Sequence, residues 1–351
     1  MSADVSNKIT RNPRKSLWHS LFSTWDRTQI TASFILVGLM AISPLFVDSP
    51  YFMGIIILAA LYAFIGISWN IIAGFTGQLL IAHIIFLALG GYTTIVLLNT
   101  YRVSPWVGIF VGGLVAASAG IIIALITLRY GLKLDYFALF TIALLVALRT
   151  LFLKWEFVGG AVGMYLRLAK PSTAKMIFDS KPPYLYIVLA LLTLGIVIQY
   201  LIYNSKMGKY FMAIREDEAA ASALGVNTSR YKTLSVIIGA TLAGIGGGFY
   251  VMYVTFIDPT GLFNLGVNVE IVMAGPIIGG LGSLSGPILG AFVNKPIAEL
   301  IRGFLAEERS GITLIVYGLF LILSIMFMPR GLAGVFHSLY LKIKRPSKEE
   351  A

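Results

Sequence analysis

The sequence predicts an all-α fold, a polytopic transmembrane bundle of about ten spans with both termini in the cytoplasm. Three observations carry this. The 351 residues are 58% hydrophobic and 12% charged, and an ordinary soluble domain carries about twice that charged fraction. Apolar stretches long enough to cross a bilayer succeed one another along almost the whole chain. The Lys and Arg residues behind the net charge of +11 flank those stretches and form no stripe on a soluble face, so they point to positive-inside topology and anionic membrane lipid and not to nucleic acid. With no cysteine in the chain, disulfides, thiolate metal sites and cysteine nucleophiles are excluded.

Residues 1–28 read as a basic cytoplasmic leader with Lys8, Arg11, Arg14, Lys15 and Arg27. Within it Leu17, Trp18, Leu21, Phe22 and Trp25 recur at three- and four-residue spacing, which predicts a short helix lying at the membrane interface. The apolar run that follows ends in Ser43, Pro44 and Asp48 without a small-residue cleavage site, so the first span is expected to be retained. Residues 29–330 form the transmembrane domain. Its spans fall at about 30–47, 51–73, 79–99, 105–127, 134–153, 184–203 and 231–255. Residues 267–304 are too long for one pass and split into two at Gly279, Gly280, Gly282 and Gly286. A last span at about 311–328 is closed by Pro329, Arg330 and Gly331, and the 331–351 tail is basic, with Lys342, Lys344, Arg345 and Lys348.

Counting from an inside N-terminus puts Arg129, Lys133, the 204–230 loop and the tail on the cytoplasmic side. The 154–183 loop falls outside yet carries Lys154, Arg167, Lys170, Lys175 and Lys181, against the charge rule. Its thirty or so residues have room for a short outer helix or an even number of further crossings.

The 204–230 loop holds the most informative polar stretch. Residues 208–225 read as one amphipathic helix in which Glu216, Asp217 and Glu218 begin an alanine-rich run, Leu224 ends it and Gly225 supplies a left-handed stop. A connector needs only a few residues, so a charged helix here suits docking to a soluble partner. Polar groups inside spans are the second clue, because inserting charge into a bilayer costs about 3 kcal/mol. Asn70, Gln78, His83, Arg149 and Glu270 are the candidates. The run Gly74-Phe-Thr-Gly-Gln78, with Thr76 and Gly77, exposes backbone polar groups and reads either as part of a translocation path or as an interfacial turn. His83 reads as an interhelical hydrogen-bonding group, since His19 and His337 are too far along the chain to complete a metal site with it. Glu270 faces either a cavity or the outer interface, almost alone as an intramembrane carboxylate. Gly279, Gly280 and Gly282 suit close packing or a broken helix, with Pro276 adding a kink.

Several motifs stand in a specific order: Asn70-Ile-Ile-Ala-Gly-Phe-Thr-Gly-Gln78, Ala82-His83 with Gly90-Gly-Tyr92, Asp135-Tyr-Phe-Ala138, Arg215-Glu-Asp-Glu-Ala-Ala-Ala-Ser-Ala-Leu-Gly225, Glu270, Gly279-Gly-Leu-Gly-Ser283 with Gly286-Pro287, and Pro329-Arg-Gly-Leu332. Together, over most of residues 60–335, they resemble the permease subunits of bacterial ATP-binding-cassette importers for branched-chain amino acids. The resemblance implies a multi-pass protein of the bacterial inner membrane that moves branched-chain or other hydrophobic amino acids. It also implies separate ATPase subunits, a second homologous permease and an extracytoplasmic substrate-binding protein as partners. Arg215, Glu216, Asp217, Glu218, Ala219, Ala220, Ala221, Leu224 and Gly225 then correspond to the segment seated in a groove of the ATPase. Asn70, Gly74, Thr76, Gly77, Gln78, His83, Glu270, Gly279, Gly280 and Gly282 become candidates for the translocation path.

No cofactor and no catalytic residue is expected in the chain itself, which has no G-x-x-x-x-G-K-[ST] loop and no converging nucleophile and base; ATP is the partner's substrate. A urea importer permease is the rival within the superfamily, although its acidic segment usually lacks the alanine run. An ion-coupled secondary transporter would want several buried carboxylates.

Overall fold

The computed structural model describes residues 13–131, 134–167, 171–305, 310–328 and 331–336. Of the residues singled out above, Lys8, Arg11, Lys133, Lys170, Pro329, Arg330, His337, Lys342, Lys344, Arg345 and Lys348 lie outside that set. So do the side chains of Arg14, Lys15, Leu17, Trp18, His19, Leu21, Phe22, Trp25, Arg27 and Asp135.

The first helix, α1 (Pro13–Ile42), is continuous, with no Gly or Pro from residue 14 to residue 37 to stop it, so no break separates a leader helix from the first span. Prolines, whose missing N–H would be unpaired in a first turn anyway, open α2 (Pro50–Trp69), α4 (Pro105–Arg129) and α6 (Pro182–Asn204). Between them lie α3 (Ile84–Tyr101) and α5 (Leu134–Lys154). Two short helices follow, α7 (Lys206–Glu216) and α8 (Glu218–Ala223), and then the long α9 (Thr228–Val254). The remainder comprises α10 (Pro259–Leu262), α11 (Leu265–Asn268), α12 (Ala274–Gly279), α13 (Gly286–Leu305) and α14 (Ser310–Phe327).

Eight helices among the described residues are long and apolar enough to cross a membrane: α1 to α6, α9 and the one that includes α14. The chain is an all-helical, multi-pass membrane protein. Leu265–Gly279 is a shorter apolar helix, and α13 stands on the other side of the glycine-rich stretch, so the 267–304 region is divided there as expected. The third span starts at Ile84 and not near 79, because residues 76–83 are irregular.

Helices α2 and α9 are buried over most of their length, whereas α1 and α14 leave most of theirs exposed. Helices α3, α4 and α9 cross where glycines let backbones touch. A methyl group on Gly112 would stand 2.7 Å from Gly90 O, and one on Gly244 would stand 2.8 Å from Gly112 O.

The bundle has two distinct ends. At one, α7 and α8 connect α6 to α9. At the other, residues 155–181 form no further crossing among the described residues. They make short 3₁₀ turns and a strand β1 (Met164–Tyr165) paired antiparallel with β2 (Phe256–Ile257). Bonds from Asn99 Nδ2 to Tyr165 O (2.9 Å), Ser104 Oγ to Ala174 O (2.7 Å) and Lys181 Nζ to Pro50 O (2.6 Å) hold this segment over the ends of α3, α4 and α2.

Candidate functional site

Two helix pairs are interrupted inside the bundle. Helix α2 runs into a π-helical turn, Asn70–Phe75, before irregular residues 76–83 lead into α3. The second pair repeats the device: a π-helical turn at Val269–Met273 joins α11 to α12, and residues 280–285 lead into α13. Such turns and breaks leave backbone groups unpaired, and at membrane depth each must find a partner within the protein.

The partners come from the opposite pair. Asn70 is fully buried; its Oδ1 accepts from Gly282 N (2.7 Å) and its Nδ2 donates to Ser283 O (3.0 Å). Asn268, also fully buried, accepts from Ile84 N (2.9 Å) and donates to Ile81 O (2.5 Å). Gln199 Nε2 adds a second donor to Ser283 O (3.2 Å), and Gln29 Oε1 accepts from Leu284 N (3.1 Å) and Ser285 N (3.3 Å). In the first break Gln78 Nε2 bonds Ser235 Oγ (2.9 Å) and Lys232 O (3.1 Å), which fastens it to α9, and Thr76 donates to Ile72 O (2.6 Å).

Gly280 and Gly282 sit at φ +115° and +82°, a region side chains rarely adopt, and Gly279 packs so closely on Gly286 O that a Cβ there would collide with it. The sequence-derived residues Asn70, Gly74, Thr76, Gly77, Gln78, Gly279, Gly280 and Gly282 thus all lie in the two breaks. His83 closes the first break, fully buried, its Nε2 2.8 Å from Ser68 Oγ of α2. No group of three potential metal ligands occurs among the described residues.

Glu270 contacts none of these; it belongs to an ion cluster with three residues of α13 that the sequence reading passed over. Arg302 Nη2 donates to Glu270 Oε2, and Lys295 Nζ donates to Glu299 Oε1 and lies 3.9 Å from Glu270 Oε1. Glu270 is therefore not the lone carboxylate of this part of the bundle. Two acids and two bases neutralise one another, which is what makes the burial of Lys295 tolerable. Their i, i+4, i+7 spacing on one helical face was the available signal. Arg149 is half-buried on α5, and its Nε has no hydrogen-bond partner among the described residues.

The 208–225 stretch is two helices and not one. Asp217, in extended conformation, ends α7 and caps α8 by accepting from Ala220 N (3.0 Å), because a short carboxylate favours an N-cap over a helix interior. Gly225 is left-handed at φ +86°. Glu218 is already paired, 2.5 Å from Lys232 Nζ, and Ala221 is buried within this chain. Glu216, with no ion pair among the described residues, Ala219, Ala220 and Leu224 are exposed; Leu224, at 86%, is the most exposed large apolar residue described.

Arg215 is exposed as well, but its guanidinium reaches inward. Its Nη1 donates to Gly74 O at 2.6 Å, and its aliphatic part lies against Gly77. A cavity of about 480 Å³ between the first break and α7–α8 is lined by Thr76, Gln78, Arg215, Glu216 and Lys232. Another, of about 250 Å³, opens beside the second break, with Arg215, Gly280, Leu281 and Gly331 in its wall. At the opposite end Arg102, Arg167 and Lys175 line a cavity of about 290 Å³, and none of the three has an ion-pair partner among the described residues.

Residues 51–325 match the family model described as branched-chain amino acid transport system / permease component. The chain is 27% identical over 333 residues to the high-affinity branched-chain amino acid transport system permease protein LivM of Escherichia coli (strain K12), covering 88% of this chain and 76% of that protein. It is 26% identical to the LivH permease protein of Salmonella typhimurium over 79% of this chain and 92% of that protein. With BraD of Pseudomonas aeruginosa it shares 26% identity over 43% of this chain and 46% of that protein. No solved structure matches the chain. With more than half of its length matched by one model, the chain belongs to the permease family of branched-chain amino acid transport systems, non-catalytic subunits of ATP-binding-cassette transporters.

Proposed function

We propose that this permease subunit moves branched-chain or related hydrophobic amino acids inward across the bacterial inner membrane, by way of the two helix breaks, when a separate ATPase acts on α7–α8. The observation that carries this reading is the joint between those parts, Arg215 of α7 bonded to Gly74 O of the first break. The names of the relatives support the substrate class. The two breaks, which expose polar backbone inside an apolar bundle, support a path past Asn70, Gly74, Thr76, Gly77, Gln78, His83, Gly279, Gly280 and Gly282. Glu270, engaged by Arg302 and Lys295, serves in this reading as a staple of the second helix pair and not as a substrate contact.

The eight long helices and two shorter passes support ten membrane segments. Their parity and basic flanks support cytoplasmic termini, with the 1–28 leader, the 204–230 loop and the 331–351 tail inside and residues 29–330 in the membrane domain. Exposed Leu224 and Glu216 at the α7–α8 end suit an ATPase groove. The cations Arg102, Arg167 and Lys175 at the other end, without ion-pair partners among the described residues, suit an acidic surface of a substrate-binding protein. A second, homologous permease completes the assembly.

Purified with its partners and reconstituted in liposomes, the complete transporter is expected to take up labelled leucine in competition with isoleucine and valine, but not with urea. Uptake of urea without competition from hydrophobic amino acids would refute the substrate class. Orientation is tested separately in this cysteine-free chain, since labelling of Ser222→Cys from outside intact cells is incompatible with a cytoplasmic 204–230 loop.

A further inference from the structure

Arg215 occupies the last turn of α7, two residues before the Asp217 hinge at which α8 begins. Phe211 and Ile214 of the same helix are buried in the bundle, so α7 is seated on the membrane domain and cannot shift without moving Arg215. The guanidinium does not point toward the exposed surface that holds Glu216, Ala220 and Leu224. It donates to Gly74 O, one of the last carbonyls of the first interrupted helix, where a cation also meets the negative end of the helix dipole.

The same group reaches the second break. A Cβ on Gly282 would collide with Arg215 Nη1, and the N–H of Gly282 is held by Asn70 from the first interrupted helix. One side chain therefore stands where both breaks converge. It also lines both cavities at this end, the larger beside Thr76 and Gln78 and the smaller beside Gly280 and Leu281.

We propose that Arg215 is a positioning residue that latches the two helix breaks together and transmits movement of the α7–α8 segment to them, its withdrawal from Gly74 O joining the two cavities. This rests on α7–α8 being the ATPase-docking segment, and it gives Arg215 a different task from its neighbours. Glu216 and Leu224 meet the partner; Arg215 carries the displacement inward. A residue of this kind sets how much transport each hydrolysis event yields, not whether the ATPase binds.

The test uses the complete transporter in liposomes with its binding protein, measuring ATPase co-purification, ATP hydrolysis and leucine uptake. Arg215→Met keeps the aliphatic length and removes the donors. It is expected to retain ATPase and hydrolysis while uptake per ATP falls about tenfold, the factor that one charged hydrogen bond represents. Arg215→Lys keeps the charge with a shorter reach and is expected to fall between Met and parent. Leu224→Asp tests the docking reading separately by its loss of ATPase association. An Arg215→Met transporter with the parental ratio of uptake to hydrolysis overturns the latch. So does one that loses the ATPase, because the guanidinium would then serve the partner surface. If Arg215→Met fails to accumulate, Arg215→Lys decides, and a parental ratio there overturns the proposal.

Discussion

Asn70 and Asn268 do reciprocal work: Asn70 of the first interrupted helix pairs with Gly282 and Ser283 in the second break, and Asn268 of the second pairs with Ile81 and Ile84 in the first. Each fully buried amide uses both a donor and an acceptor on backbone groups of the opposite break. The two interrupted pairs are thereby made mutually dependent. A shift of one break loosens the other.

Asn70→Ala and Asn268→Ala are each expected to lower stability by about 1–3 kcal/mol, the cost of leaving buried peptide groups unpaired. Thermal unfolding of the purified complex in mild detergent measures this directly. Asn70→Asp preserves the acceptor for Gly282 N but loses the donor to Ser283 O and buries a charge, so it is expected to fare no better than alanine. Tm values equal to the parent for both alanine variants would show that the reciprocal bonds contribute nothing.

The ion cluster makes a prediction of opposite signs. Lys295, with a 2% exposed side chain, is compensated by Glu299 and Glu270. Lys295→Met alone leaves two carboxylates to the single Arg302 and is expected to cost about 3 kcal/mol. Adding Glu299→Gln restores neutrality and should recover much of that loss, so the double variant should be more stable than Lys295→Met. Additive losses measured by denaturation would mean that the four charges are not coupled.

At the far end, Arg102, Arg167 and Lys175 face one cavity without carboxylate partners among the described residues. If they receive an acidic surface of the binding protein, replacing all three with Glu should weaken the stimulation of hydrolysis by that protein while basal hydrolysis stays at the parental level. Raising ionic strength should weaken the parent's stimulation too, because exposed charges attract over no more than about a Debye length. Stimulation unchanged by the triple reversal would sink this assignment.

Much of this was legible in the sequence because hydrophobic length and glycine placement act locally. The spans, the split between Gly279 and Gly286 and the left-handed Gly225 follow from what neighbouring residues permit. The continuity of the leader with the first span was missed, although nothing in residues 14–37 interrupts a helix once begun. The hinge at Asp217 was not legible, because capping there competes with high helix propensity on both sides. Asn70 was singled out as a polar group inside a span, but the partners of Asn70 and Asn268 were beyond reach for a different reason: they lie roughly two hundred positions away, and only the folded chain brings them together. Lys295, Glu299 and Arg302 carried a readable helical spacing, but an apolar run of spanning length masked it.

The division of labour within α8 gives the sharpest test of docking. Ala221 is 3% exposed, so Ala221→Arg forces a charged side chain into the chain's own packing, whatever lies outside. It is expected to lower stability and to disturb ATPase association only as a consequence. Leu224 is 86% exposed, so Leu224→Asp removes nothing from this chain's core and should leave the free energy of unfolding within about 0.5 kcal/mol of the parent. An apolar side chain held in the open beside a left-handed glycine is a suitable anchor for a partner's groove, and burying it there would contribute about 1.5–3 kcal/mol. Leu224→Asp is therefore expected to reduce co-purification of the ATPase and to abolish substrate-stimulated hydrolysis, while Leu224→Met retains both. Full recruitment of the ATPase by Leu224→Asp, with leucine uptake at the parental rate, would reduce α7–α8 to a connector between α6 and α9.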